Sequence, residues 1–127
     1  MEEVKRALRK LKRGKANGLD GVAPELWKAL LEDNDALIII TSFCQYCWRM
    51  KSLPDNWHQA SVISIFKKGD PALCENYRPI SLLSIGYKVF ALLLLHRLQD
   101  GQVDARIWST QFGFKAGYGT IDILFIA

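Results

Sequence analysis

Apolar residues recur at Val4, Ala7, Leu8 and Leu11, the spacing of a helix that buries one face, so residues 2 to about 13 are predicted to form an amphipathic helix with a basic outer side. The stretch "GKANGLDGVAP" breaks this pattern with three glycines, Asn17 and Asp20. Pro24 then suits the first turn of a second helix, "PELWKALLE". Asp33 or Asn34 can cap a third, from about Asp35 to Lys51, with Leu37, Ile40, Phe43, Cys44, Cys47 and Trp48 facing inward and Pro54 and Asp55 ending it. Residues 60 to 66 are short, β-branched and apolar, which predicts a strand. From about Ser84 to Gln99 a fourth helix is predicted, with Val89, Phe90, Leu93 and Leu94 inward and Lys88, His96 and Arg97 towards water. "TQFGFKAGYGT" reads as extended and glycine-punctuated, and Thr120 can cap a last helix, "IDILFIA", which carries no C-terminal stop signal and gives the chain the look of a truncation.

Between the strand and the fourth helix lies "FKKGDPALCENYRPISLL", residues 66 to 83, read as a polar loop. Two readings compete for it. Lys67, Lys68 and Asp70 can be turn residues, with Gly69 supplying a positive φ and Pro71 fixing the exit. Alternatively the cations hold an anion: lysine is a point charge for phosphate, arginine a planar fork of donors. Pro79 restricts the backbone of Arg78 to extended geometry and stiffens its presentation. Spacing alone leaves both readings open.

Composition narrows the function classes. With 127 residues, half of them hydrophobic and a quarter charged, the chain can bury a single core and is not of disordered type. Its longest apolar run, Val89 to Leu95, is far short of a membrane span, and the charged N-terminus carries no secretory signal, so the expected compartment is intracellular, with nucleus and cytoplasm not distinguished. Three cysteines make no disulfide framework, and the C-x-x-C of Cys44 and Cys47 lacks the second ligand pair of a zinc site and continues an apolar helix face. The net charge of +4 is concentrated at Lys5, Arg6, Arg9, Lys10, Lys12, Arg13 and Lys15. Such a cluster suits a phosphate backbone, and it equally suits a solvated helix face.

The order of "GKANGLDGVAPELWK", "LPDNWHQASVISIFKKGDPALCENYRPISLLSIGYKVFALLLLHRL" and "TQFGFKAGYGTIDILF", covering roughly Lys12 to Phe125, resembles the N-terminal part of a reverse transcriptase of the non-LTR (LINE-type) retrotransposon family. The resemblance implies an α+β fold over residues 1–127: a mainly helical fingers portion of the right-hand polymerase fold, a small β element and the start of the palm. It implies that Lys67 or Lys68, with Arg78, contacts the triphosphate of an incoming nucleotide, and that Tyr77, Pro79 and Ile80 lie near the templating base. Lys15, Gly18, Asp20 and Gly21 match an upstream K-x-x-G-x-D-G motif whose glycines shape a tight turn and whose lysine faces nucleic acid. Gln111, Gly113, Phe114, Lys115, Gly117 and Thr120 match, or stand in, a downstream motif that borders template and primer. Asn17 and Leu19 stand where proline or a small residue is common; Lys115 keeps a charge but loses arginine's fork, and Tyr118 loses the charge.

Two-metal nucleotidyl transfer needs closely held carboxylates, which this family takes from later aspartate motifs, and the present sequence has no Asp-Asp pair. The complete enzyme is therefore expected to use Mg²⁺, whereas this chain, read as truncated before the catalytic palm motifs, is expected to bind no metal and to be inactive alone. The implied partners are an RNA template, a DNA primer and a deoxynucleotide triphosphate; no membrane is expected, and oligomeric state is left open. A fragment of a group II intron-like maturase, a stand-alone basic nucleic-acid-binding module and a decayed element remnant are the alternatives.

Overall fold

The computed structural model describes residues 1–108, 111, 113 and 117–119. Two compact units divide the chain, Met1–Leu93 and Leu94–Ala127. The first contains three helices, α1 (Glu2–Lys10), α2 (Pro24–Ala29) and α3 (Asn34–Met50), a two-stranded antiparallel sheet of β1 (Ser61–Phe66) and β2 (Tyr77–Leu82), and the beginning of α4 (Ile85–Asp100). The architecture is thus mixed helix with a small sheet.

Its core forms from the predicted helical faces. α1 lies against α2 and α3. Val4, Ala7, Leu8 and Leu11 are buried, as are Leu37, Ile40, Cys44 and Cys47 of α3 and Ile85, Val89, Phe90 and Leu93 of α4. Trp57 joins them, edge-on to Phe43 and Tyr87 at centroid distances of 5.7 and 5.9 Å and tilted against Phe90. Burial also raises the Cys47 thiol pKa, as expected of a cysteine acting as a small core hydrophobe.

Helix limits follow local chemistry. α1 stops at Lys10, a turn earlier than predicted, because Leu11 turns extended and its carbonyl accepts the Lys28 ammonium at 2.8 Å. Asp33 caps α3, its Oδ1 accepting the Asp35 and Ala36 N–H groups at 2.9 and 3.2 Å. Lys51, with φ of 52°, closes α3 in the left-handed conformation. Ser84 Oγ accepts the Tyr87 N–H at the start of α4.

Four expectations are corrected. Residues 77–82 are a strand, not loop. Phe43 and Trp48, expected inward, are exposed, Trp48 by 57%, because they fall on the two shoulders of the Leu37–Ile40–Cys44–Cys47 stripe. His96, expected towards water, is only 5% exposed: it lies seven residues after Val89 and three after Leu93, on their helix face. Leu94, expected inward, is only half-buried.

In the second unit, α4 ends and a 3₁₀ turn, Val103–Arg106, follows. The predicted last helix from Thr120 lies outside the described residues.

Candidate functional site

The register of the sheet explains how Arg78 is presented. Ile65 faces Arg78 and Ile63 faces Ile80, while Phe66 faces Tyr77 and Ser64 faces Pro79. The Lys67 N–H donates to the Asn76 carbonyl at 2.8 Å, one pair beyond the last strand residues. By alternation the hydrogen-bonded pairs are then 67/76, 65/78 and 63/80, and Pro79 sits in a non-bonded pair where its missing N–H costs no ladder bond. Side chains alternate likewise, so Arg78 and Ile80 share one face with Ile65, and Tyr77 and Pro79 take the other.

Around Arg78 and Ile80 the sequence-predicted cations converge. Lys67, Lys68 and Arg78 line one open cleft of about 410 Å³ together with Ile65, Phe66 and Ile80. All three cations are exposed, and among the described residues none has an acidic side chain at ion-pair distance. The nearby Asp70 carboxylate is turned to the backbone, its Oδ1 accepting the Ala72 N–H at 2.9 Å. Gly69 takes a φ of +94°, which a side chain would strain. The result is an uncompensated positive cleft with apolar walls, suited to a polyanion carrying an apolar or aromatic group.

The template set is divided by the pleat. Ile80 stands with Arg78, whereas the Tyr77 ring packs on Phe66 at 5.5 Å and its hydroxyl donates to the Pro71 carbonyl at 2.9 Å. Pro79 is exposed on the Tyr77 face.

Upstream, the predicted tight turn is present. The Gly21 N–H donates to Gly18 O at 3.0 Å, Asn17 Nδ2 to Gly21 O at 3.1 Å, and the Val22 N–H to Asp20 Oδ1 at 3.2 Å. Asp20 thus holds its own loop, and Asn17, a departure from the family pattern, supplies a clamp of its own. Leu19, Asp20, Asn56, Gln59 and Ser84 line a cleft of about 190 Å³ beside this turn. Lys15 is exposed, and so are Arg9, Lys10, Lys12 and Arg13. Lys5 pairs with Glu2 at 3.5 Å.

Two residues that the sequence did not single out hold this basic stretch in place. Glu25 Oε1 accepts the Gly14 N–H at 2.6 Å, between Arg13 and Lys15, and that hydrogen bond, aided by the charges of Arg13 and Lys28, lowers the Glu25 pKa. Lys28 Nζ caps the carbonyl end of α1 at Leu11 and, more loosely, Arg9. Glu25 and Lys28, one turn apart on α2, could have been read as a pair facing a helix end; their partners could not.

Downstream, Gln111 Nε2 donates to Gly113 O at 3.1 Å, while Phe114 and Lys115 lie outside the described residues. For a divalent metal the described residues are a poor fit: no three His, Cys, Asp or Glu side chains come together, and Asp20, Asp33 and Asp70 each bond backbone N–H groups. Among the described residues no helix is long and apolar enough to cross a membrane.

No protein-family model matches the chain. It is, however, 34% identical over 124 residues to a probable RNA-directed DNA polymerase from transposon BS of Drosophila melanogaster, covering 96% of this chain and 14% of that protein. It is 36% identical over 122 residues to the RNA-directed DNA polymerase from mobile element jockey of Drosophila funebris, covering 94% and 13%. A probable RNA-directed DNA polymerase from transposon X-element of Drosophila melanogaster is 32% identical over 124 residues, covering 96% and 13%. The chain therefore spans about one-seventh of the length of these relatives. Near-complete alignment of this sequence with several such polymerases, through its three ordered motifs, shows that it belongs to the family of non-LTR retrotransposon RNA-directed DNA polymerases.

Proposed function

We propose that this chain is the fingers and adjoining start of the palm of an RNA-directed DNA polymerase, and that it grips the incoming deoxynucleotide triphosphate and guides the RNA template and DNA primer. The observation that carries this reading is the convergence of Lys67, Lys68 and Arg78 on one cleft without an acidic partner among the described residues. Arg78, fixed in the strand opposite Ile65, supplies the fork that orients phosphate oxygens, and the lysines add charge without imposing direction. Lys67 continues the ladder and by pleat lies on the Arg78 face, which favours it over Lys68 as the lysine that reaches phosphate.

Nucleic acid is guided by the exposed cations from Arg9 to Lys15, held by Glu25 and Lys28 beside the Gly18–Gly21 turn. In the complete polymerase a divalent metal, Mg²⁺ by resemblance, would serve the transfer step on carboxylates other than those described here. The test is equilibrium binding of dTTP to the chain, with Arg78→Ala as the variant. Binding that weakens by about tenfold or more supports the cleft as the triphosphate site, and binding unchanged by the variant removes it.

A further inference from the structure

The loop between the strands is closed by bonds from two residues that immediately precede Arg78. Asn76 Nδ2 donates to the Asp70 carbonyl at 2.8 Å, and a Cβ placed on Gly69 would come 2.8 Å from that same Nδ2, so the Gly69–Asp70 corner sits directly on the Asn76 amide. The Asn76 carbonyl receives the Lys67 N–H at 2.8 Å, and its N–H donates to Leu73 O at 3.1 Å. Asn76 therefore fastens the loop at its entry, its corner and its exit. The next residue, Tyr77, fastens Pro71 through its hydroxyl and braces its ring on Phe66, on the face away from Arg78. Neither residue lines the cleft.

We propose that Asn76 and Tyr77 are positioning residues, a two-point clasp that holds Lys67 and Lys68 opposite Arg78 before the nucleotide arrives; this rests on the reading of the cleft as a triphosphate site. An unfastened loop would have to be ordered on binding, and ordering a backbone segment and two lysine side chains opposes affinity. The clasp removes that cost in advance. Because both fastenings and Arg78 belong to one short segment, 76–78, the cations on the two rims of the cleft are set by a single piece of chain.

The test uses the ¹⁵N-labelled 127-residue chain titrated with dTTP, comparing Tyr77→Phe and Asn76→Ala with Arg78→Ala. Tyr77→Phe keeps the ring on Phe66 and removes only the bond to Pro71. The expected result is dTTP affinity reduced roughly three- to tenfold by each clasp variant, as loss of one neutral hydrogen bond allows. Amide order parameters over residues 67–73 should fall from about 0.85 towards 0.6, with Ile63–Ile80 cross-strand contacts and melting temperature retained. Should Asn76→Ala unfold the hairpin, Tyr77→Phe decides alone. If Arg78→Ala weakens dTTP binding while Tyr77→Phe binds as wild type with a loop equally ordered, the clasp is overturned and the cleft stands. If wild type does not bind dTTP, or Arg78→Ala binds equally well, both fall.

Discussion

Gly18 lies so close to Ser84 that a methyl group on its Cα would come within 2.7 Å of the Ser84 backbone. The contact joins the upstream motif loop to the point where β2 leads into α4, so the turn carrying Asp20 and the strand carrying Arg78 share one support. The neighbouring atoms are backbone and cannot swing aside. Gly18→Ala should therefore destabilise the chain by about 1–3 kcal/mol through overpacking. Gly14→Ala, with open space around it but a φ of +64°, should cost only about 1–2 kcal/mol of backbone strain and leave Ser84 in place. Chemical denaturation of both variants, with amide exchange at Tyr87 and Lys88, checks this; an Ala at 18 that leaves those amides as protected as wild type contradicts the close approach.

Glu25 gives the junction of α1 and α2 a pH signature. Its carboxylate has a pKa below the ordinary 4.5 because the Gly14 N–H donates to it. A lowered folded-state value means its contribution is fully present above the unfolded value and is lost as pH falls through the folded one. The melting-temperature difference between wild type and Glu25→Gln should thus be constant above about pH 5 and shrink on acidification below the ordinary carboxylate range. A difference that grows on acidification contradicts the assignment.

Much of this was legible in the sequence, and the exceptions have a common cause. Apolar spacing locates α1 and α3 because each buries one continuous stripe, whereas α2, which buries only Pro24, is marked by that proline; of the two residues that could cap α3, Asp33 does so. The strand Tyr77–Leu82 was hidden by Arg78 and Pro79, which read as loop residues in a one-dimensional pattern. In a two-stranded sheet both strands are edges and both faces are wet, so apolar alternation is not required: Val62 is 61% exposed and Ile65 49%. Which proline position a ladder tolerates depends on register, and register depends on the partner strand. The same holds for the site. Motif resemblance singles out Lys67, Lys68 and Arg78, which line one cleft, whereas Asn76, Glu25 and Lys28 act through backbone groups that no side-chain motif names.

The cluster from Arg9 to Lys15 predicts sequence-independent binding to nucleic acid that weakens steeply with salt, since counterion release sets the slope. Replacing Lys10, Lys12 and Arg13 together with Ala should flatten the slope of log affinity against log salt by up to roughly 0.9 for each cation that met a phosphate on duplex DNA. Affinity indifferent to salt in the wild-type chain would leave the cluster as a solvated face.

The purified chain should show no primer extension on an RNA or DNA template with Mg²⁺ or Mn²⁺, because the described residues gather no carboxylate set for two metal ions. Incorporation above a no-protein control that persists through further purification contradicts this.

A grip of Lys67 and Arg78 on the triphosphate is read out by nucleotide kinetics in a polymerase made by joining this chain to the palm of a relative. Arg78→Lys keeps the charge and loses the fork, and Lys67→Ala removes a charge on the same face of the cleft. Each lost charge-assisted contact is worth about 1.5–3 kcal/mol, so kcat/KM for the nucleotide should fall roughly ten- to a hundredfold, with primer-template affinity nearly unchanged and Lys68→Ala close to wild type. Wild-type nucleotide kinetics in both Arg78→Lys and Lys67→Ala would rule out the triphosphate grip and leave the hairpin loop as a structural turn.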